Sequence, residues 1–194
     1  MVNCLAHADY VQGYPSTKID VFNGWFRFVN PGKMLVSKEQ FLMGGDSRPR
    51  NEIIMKMFRL LGASERQGFG GPLIYKTALE NDFRSPEIVT DIEHTELRVW
   101  NIDLADSYPE FTDDEKAVLR CIVKQKNAQS VNDIREKLNF TDYRVRKIIT
   151  MLLDNNLVEK EGNGSATKYV VARQSVEKLT QLQIKMEKMK QDLV

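Results

Sequence analysis

Residues 112–172 read TDDEKAVLRCIVKQKNAQSVNDIREKLNFTDYRVRKIITMLLDNNLVEKEGNGSATKYVVA, and this stretch decides the fold of the second half of the chain. Thr112 and Glu115 have the spacing of a capping box, in which a hydroxyl and a carboxylate satisfy free backbone N–H groups at the start of a helix. Ser130 and Asp133 repeat that spacing. The stretch therefore predicts two helices, each with a defined first residue.

A third helix and a hairpin complete this stretch. Thr141 follows the turn Asn139-Phe140 and is predicted to be the N-cap of the third helix. Segments 158–160 and 167–171 flank the turn Gly162-Asn163-Gly164-Ser165, a pattern that predicts two strands joined as a hairpin. Three capped helices followed by a hairpin are the element order of a winged helix-turn-helix domain, which we place at residues 112–172.

The third helix has two different faces. Its apolar residues recur at i, i+3, i+4 and i+7 and predict the side facing the core: Val145, Ile148, Ile149 and Leu152. At about 100° per residue the other side carries donors suited to phosphates and guanine edges, and the hairpin adds two lysines. The predicted DNA-binding residues are Tyr143, Arg144, Arg146, Lys147, Thr150, Lys160 and Lys168. The alternatives are an ordinary solvated helix face and a winged helix that mediates only protein contacts.

Length and composition indicate a globular protein of one or two domains. The chain has 194 residues and a net charge of +1. Its sequence contains neither an apolar run long enough to span a membrane nor the pattern of a signal peptide. Cys4 and Cys121 lack the spacing of zinc ligands, so we expect buried free thiols in a reducing cytoplasm and no metal site. Residues 112–171 hold 11 basic and 9 acidic side chains, a net +2, so one copy should bind DNA modestly.

The first half predicts a mixed α and β domain over residues 1–104. Strands 18–22 and 25–29 flank Asn23-Gly24, a dipeptide typical of hairpin turns, and two further strands are expected at 88–92 and 97–102. Helices are expected near the N-terminus, at 37–42, at 53–61 and at 73–79. The helix at 53–61 should bury Ile53, Ile54, Met57, Phe58 and Leu61.

Short motifs follow one another in this half: Val2-Asn3, His7-Ala8-Asp9-Tyr10, Asn30-Pro31-Gly32, Ser47-Arg48, Arg50-Asn51, Gly62, Glu65, Gly68 and Gly70. Their order resembles the C-terminal region of the RecG-related (Schlafen/AlbA-type) transcriptional regulators. The resemblance implies a degenerate ATPase-like α/β sandwich of the GHKL (gyrase–histidine kinase) class, which a winged helix often follows. Members usually carry an AlbA-like domain upstream, and the uncapped helical pattern at the N-terminus suggests that an earlier part is missing here.

The resemblance also defines possible nucleotide-binding residues. In the ATPase class an asparagine helps to hold magnesium; Asn3 matches it, while the glutamate four residues earlier would precede Met1. The adenine motif is reduced to Asn30-Pro31-Gly32, which lacks the aspartate. Gly68, Gly70 and Gly71 could approach phosphates through backbone N–H groups or form only a structural turn. We expect no ATP hydrolysis, and ATP with Mg²⁺ remains a possible ligand rather than an expected cofactor.

Other chemistry has less support. The pair His7 and Asp9 could belong to a hydrolytic site, but no nucleophile motif accompanies it, and His94 has no metal-spaced partner. Residues 105–111 are interpreted as a linker. Residues 173–194 predict a C-terminal helix with a short heptad stripe: Leu179, Leu182, Met186, Met189 and Leu193. We expect this stripe to pair with a second copy across a two-fold axis; packing against the winged helix of the same chain is the alternative.

The sequence as a whole favours a cytoplasmic, non-enzymatic, DNA-binding transcriptional regulator of α+β class. It should bind double-stranded DNA as a homodimer, and the ATPase-like half would serve sensing or assembly. The alternative is an ATP-dependent enzyme or nucleotide-binding module with an accessory winged helix. A pure protein-interaction module is a third reading.

Overall fold

The structure is a computed structural model of the 194-residue chain, and it describes residues 1–12, 15–45, 48–63, 68–125, 127–173 and 178. The described residues fall into two compact units, 1–102 and 103–173. The first unit combines helices with a sheet, and the second combines helices with a hairpin, so the predicted α+β class is confirmed.

A four-stranded antiparallel sheet forms the frame of the first unit. Its strands are β1 (Lys18–Phe22), β2 (Trp25–Pro31), β3 (Glu87–Thr90) and β4 (His94–Trp100), in the order β1-β2-β4-β3. Phe22 pairs with Trp25 across the predicted two-residue turn, where Gly24 has a φ of +85°. A side chain is disfavoured at Gly24 by that φ and by Ile102, whose Cγ2 lies 2.4 Å from the position of an added Cβ.

Four helices accompany this sheet: α1 (Val2–His7), α2 (Lys38–Met43), α3 (Glu52–Leu60) and α4 (Gly70–Glu80). Ser37 and Gln40 form a capping box that starts α2. At Gly71 an added Cβ would lie 2.0 Å from the carbonyl oxygen of Phe41, so α4 approaches α2 at a point where only glycine fits. All four helices occur where the sequence predicts helices.

The predicted buried face of α3 is wrong. Met55 is the buried residue of this helix at 4% exposure, whereas Ile53, Met57 and Leu61 are 77%, 57% and 75% exposed. Ile54 and Phe58 are half-buried. Apolar residues occur on more than one side of α3, so periodicity identifies an amphipathic helix without deciding which side meets the core.

The second unit has the predicted order of elements: α5 (Asp113–Val123), α6 (Val131–Leu138), α7 (Asp142–Asp154), β5 (Val158–Glu161) and β6 (Lys168–Val171). The expected caps are present, with capping boxes at Thr112 and Ser130 and a hydrogen bond from Arg144 N to the side chain of Thr141. Asn139 ends α6 in the left-handed region at φ 54°. A short 3-10 turn, Gly164–Ala166, joins the two strands.

One apolar core holds the three helices and the hairpin of the second unit together. Its fully buried large side chains come from all three helices: Val118, Leu119, Ile134, Val145, Ile149 and Leu152. Val158 of β5 and Tyr169 of β6 close the same cluster. Since α7 contributes four buried residues to it, the rotation of α7 about its axis is fixed.

Residues 105–111, interpreted as a linker from the sequence, lie in the second unit. Ala105 is fully buried in its core, and Tyr108 and Phe111 stack on one another and pack against that core. Arg120 of α5 pairs with Asp106 and, at 3.3 Å, with Asp103. The segment is not a regular helix or strand, so the few side chains that pack against the core follow no periodic pattern in the sequence.

The C-terminal stripe of Leu179, Leu182, Met186, Met189 and Leu193 lies outside the described residues, so the helix predicted for 173–194 stays a prediction. Among the described helices, none combines the length and the apolar character that a membrane crossing requires.

Candidate nucleic-acid interface and nucleotide site

The outer face of α7 carries the side chains that the sequence predicts. Val145 and Ile149 point into the core, so Tyr143, Lys147 and Thr150 are turned outward and are exposed, Tyr143 at 78%. Among the described residues, Tyr143 and Lys147 have neither a hydrogen-bonding nor an ion-pair partner. Within the described part of the chain, both can meet a ligand without breaking a hydrogen bond or an ion pair.

The other polar groups on this face are already engaged. Arg146 Nε donates to Asp142 Oδ2 at 2.7 Å, one helical turn earlier, and this bond holds the pKa of the exposed guanidinium above its usual value. Thr150 Oγ1 donates to the carbonyl oxygen of Arg146 at 3.0 Å. The remaining N–H donors of Arg146 can still contact a phosphate or a base, while the Asp142 carboxylate beside them offsets part of its positive charge.

Arg144 occupies a different environment from the rest of the predicted set. Its guanidinium pairs with Asp114 of α5 and lies 4.6 Å above the ring centroid of Phe140. A cation in contact with both an aromatic face and a carboxylate contributes to packing as well as to surface charge. The sequence separation of Arg144 from Asp114 explains why helical periodicity gave no sign of this pair.

Both lysines of the hairpin are exposed. Lys160 lies opposite Tyr169, and Lys168 lies opposite Glu161. Tyr169 also exchanges two backbone hydrogen bonds with Gln129, at 3.0 and 2.8 Å, so the hairpin is joined to the segment before α6. The lysines are thereby placed on a backbone that is anchored to the helical part of the unit.

Two of the predicted nucleotide-binding residues come together. Asn3 is exposed on α1, and its Nδ2 lies 2.7 Å from the position of an added Cβ at Gly70. Gly71 instead meets the carbonyl of Phe41, and the carbonyl oxygen of Gly68 accepts a hydrogen bond from Gly45 N at 3.2 Å. Gly68 and Gly71 are therefore used in packing α4 and its preceding loop, and Asn3 and Gly70 are the two predicted nucleotide-binding residues that lie close together.

The reduced adenine motif is surrounded by protein contacts. Gly32 N donates to Glu93 O at 2.7 Å, and an added Cβ at Gly32 would lie 2.9 Å from both Asp9 Cβ and Arg50 Nη2. Asp9 and Arg50 form an ion pair at 2.9 Å. The Asp9 carboxylate also accepts hydrogen bonds from Val11 N and Gln12 N, so it stabilises the loop that follows α1.

The two histidines have local roles. Burial lowers the pKa of His7; a hydrogen bond with the backbone of Arg48 opposes that shift, and the charge of Arg50 adds to it. His94 Nδ1 lies 3.1 Å from Asp91 Oδ1. In the ranges that the structure describes, no group of three or more His, Cys, Asp or Glu is arranged to hold a metal ion.

An ion-pair network on the sheet was not predicted from the sequence. Glu96 of β4 is 4% exposed and binds Arg27 of β2 at 2.6 Å and Arg98 at 2.6 Å. Burial by itself raises the pKa of Glu96, but the hydrogen bonds and charges of Arg27 and Arg98 outweigh it and hold the pKa below its usual value. The available signal was a carboxylate two residues from an arginine in a strand whose other members include Leu97, Val99 and Trp100.

Residues 16–99 match the family model described as "Putative ATP-dependent DNA helicase recG C-terminal". The match supports the RecG-related, ATPase-like part of the resemblance for residues 16–99, which make up less than half of the chain. No curated protein matches the chain.

Three solved structures were compared with the chain. The DIP2311 protein from Corynebacterium diphtheriae has a TM-score of 0.44 and 11% identity over 88% of this chain, which spans about half (48%) of that protein. Reduced HlyU from Vibrio cholerae has a TM-score of 0.31 and 14% identity, covering 43% of this chain and 83% of its own. MepR, a transcription regulator of the Staphylococcus aureus multidrug efflux pump MepA, has a TM-score of 0.30 and 20% identity. The match covers 46% of this chain and 70% of MepR.

Proposed function

We propose that the chain is a DNA-binding transcriptional regulator. In this proposal the second unit is a winged helix-turn-helix, α7 is its recognition helix and the β5–β6 hairpin is its wing. The ATPase-like first unit serves sensing or assembly, and the regulator acts on double-stranded DNA as a homodimer in the cytoplasm. No catalytic step is part of the proposal.

The observation that carries it is the outer face of α7. A capped helix whose rotation is fixed by four core residues presents Tyr143, Lys147 and Thr150 outward, with Arg146 beside them. A helix of this kind fits the major groove of B-DNA, where side chains reach base edges. Lys160 and Lys168 on the hairpin supply the backbone contacts that fix the register of such a helix.

The charge of the chain supports a dimer. Residues 112–171 carry a net charge of +2, which gives little non-specific attraction to phosphate. Two recognition helices on half-sites about one helical turn apart turn the second contact into an intramolecular one, which raises the overall affinity. A regulator with this charge therefore gains more from pairing than a strongly basic one.

The test is a fluorescence-anisotropy titration of the full chain with labelled duplex DNA from the genome that encodes it. Affinity should fall steeply between about 50 and 200 mM salt, because bound phosphates release counterions. Lys147→Ala should weaken binding about fivefold or more, whereas Lys124→Ala, an exposed lysine at the end of α5, should not. Absence of salt-dependent binding, or equal affinities for the two variants, contradicts the proposal.

A second candidate function has one observation in its favour. The contact of Asn3 with Gly70 brings together two of the residues that the sequence predicts for nucleotide binding. In this alternative the first unit is a nucleotide-binding module and the second unit is accessory. Saturable micromolar ATP binding together with DNA affinity that is insensitive to Lys147→Ala favours the alternative.

A further inference from the structure

Four large apolar side chains of α3 and its C-cap residue face solvent. Ile53, Met57, Leu60 and Leu61 are 77%, 57%, 80% and 75% exposed, and they follow i, i+4, i+7 and i+8 spacing. This spacing places them in one continuous stripe along the helix. We call these four residues the α3 stripe. Single exposed leucines are ordinary on protein surfaces, whereas an aligned set of four marks an interaction surface.

The first unit holds α3 by the opposite side of the helix. Met55 is buried there, and α3 packs against α1. Asn51, the residue before the helix, donates through Nδ2 to the carbonyl oxygen of Ala8 at 2.8 Å and through its backbone N to Ala6 O at 2.9 Å. These contacts fix α3 without using the stripe, whose side chains remain exposed beside the part of the chain that the structure describes.

A row of charges runs beside the stripe. Glu52, Lys56 and Arg59 are exposed at i, i+4 and i+7 and lie on one flank at about 100° per residue. Within the described ranges, neither Glu52 nor Arg59 has an ion-pair partner. The row is acidic at the start of the helix and basic at its end.

We propose that the α3 stripe is a two-fold interface with a second copy of this chain, in which the two α3 helices pack antiparallel. A two-fold axis perpendicular to both helices puts the two charged rows on the same side of the pair and in opposite directions. Glu52 of each copy then lies near Arg59 of the other, and the two helix dipoles are also opposed. A parallel arrangement would put the charged rows on opposite sides and lose both effects.

Lys56 lies near the middle of the row, so the proposed two-fold axis brings it near Lys56 of the second copy. Its long apolar stem allows the ammonium group to turn into solvent while the methylene groups cover the stripe. The like charges at the axis are in this way kept apart.

The size of the surface sets the expected affinity. Four such side chains offer on the order of 300 Å² of apolar area per copy, which is below the roughly 800 Å² per partner of a standard stable interface. The interface should therefore form reversibly in the micromolar range. The inference concerns association alone and does not rest on DNA binding.

Sedimentation velocity of the full 194-residue chain across the micromolar range tests this inference. The chain should pass from monomer to dimer, and Leu60→Lys should raise the dissociation constant at least about tenfold. Leu73→Lys is the matched control, since Leu73 is a 63% exposed leucine on α4 outside the stripe, and it should leave the dissociation constant unchanged. A chain that stays monomeric, or a Leu60→Lys variant that dimerises like the original, overturns the proposal.

Charge exchange tests the antiparallel arrangement. Arg59→Glu should weaken the dimer by placing two carboxylates together, and adding Glu52→Arg to the same chain should restore most of the affinity. A double variant that remains as weak as Arg59→Glu overturns the arrangement. Leu182→Lys with Met186→Lys separates this interface from the C-terminal segment: loss of the dimer in that variant, with none in Leu60→Lys, assigns dimerisation to the segment and overturns the role of α3.

Discussion

Arg144 of α7 pairs with Asp114 of α5, and the pair joins the first turns of two helices of the second unit. The guanidinium also lies 4.6 Å above the ring centroid of Phe140, in the turn before α7. Arg144 was predicted from the sequence as a DNA contact together with Arg146 and Lys147. Its two partners give it a role in stability that Lys147 does not share.

Arg144→Ala should therefore lower the stability of the second unit. A half-exposed ion pair contributes about 0–1 kcal/mol and a surface cation–π contact about 0.5–1 kcal/mol. A total of about 1 kcal/mol corresponds to a fall in melting temperature of about 4–8 °C for a domain of this size. Thermal circular dichroism of Arg144→Ala and Lys147→Ala measures the difference; an unchanged melting temperature for Arg144→Ala would return Arg144 to the purely DNA-facing set.

Asp142→Asn should strengthen DNA binding. Asp142 neutralises Arg146 at 2.7 Å, and it brings a negative charge to the face proposed to meet phosphate. Removing that charge frees the guanidinium and should steepen the salt dependence by about one phosphate contact, a change of roughly 0.9 in slope. Asp142 also lies in the first turn of α7, where an acidic residue stabilises the helix, so melting should fall slightly.

The control for this experiment is Asp154→Asn at the other end of α7. Asp154 is exposed and lies three turns away from Asp142, so the same change in net charge is made at a distance from Arg146. Anisotropy titrations at several salt concentrations compare the two variants. Equal gains in affinity would mean that net charge, and not the release of Arg146, determines the effect.

Glu96 should make the stability of the first unit depend on pH. The pKa of this carboxyl is held below its usual value by Arg27 and Arg98 against the effect of burial. A group with a lowered pKa in the folded protein stabilises fully above its unfolded pKa of about 4.3, and this stabilisation is lost as the pH falls through the folded pKa. The wild-type chain should accordingly lose stability as the pH falls below about 4.

Glu96→Gln should cost about 1.5–3 kcal/mol at pH 7, because two charged hydrogen bonds are lost. Its stability should also fall less than that of the wild type between neutral and acid pH. Urea denaturation at both pH values provides the measurement, with Glu93→Gln as control since Glu93 is exposed. If Glu96→Gln and the wild type lose the same stability on acidification, the network does not act through Glu96.

The sequence predicted the second unit well because its signals are local. A capping box places both of its members within four residues, and a helix buries every third or fourth residue, so the starts of α5, α6 and α7 and the outward face of α7 follow from short windows. The ion-pair partners of the arginines on that helix could not be predicted in this way. Arg146 meets a residue one turn away, but Arg144 meets Asp114 on another helix, which only the tertiary fold brings near.

The first unit was predicted less completely for the same reason. Its strands, helices and turn at Gly24 have local signatures, whereas the side of α3 that meets the core depends on where α1 lies. The network of Arg27, Glu96 and Arg98 depends on the register of β2 against β4. Whether Asn3 reaches Gly70 depends on the placement of α1 beside α4. Sequence periodicity gives no information about these contacts, because each joins elements that are far apart along the chain.

The first unit should bind ATP no more tightly than the millimolar range. Asn3 is exposed beside Gly70, so two of the residues predicted for nucleotide binding lie close together. The adenine end has Asn30 where the motif requires an aspartate, and Gly32 is enclosed by Asp9 and the guanidinium of Arg50. A base that entered there would lack its carboxylate acceptor and would have to displace an ion pair.

Calorimetry of the chain with ATP and Mg²⁺ should therefore detect no binding more favourable than about −4 kcal/mol. Asn3→Ala is the matched variant and should give the same trace; micromolar binding that Asn3→Ala abolishes would instead establish the first unit as a working nucleotide site.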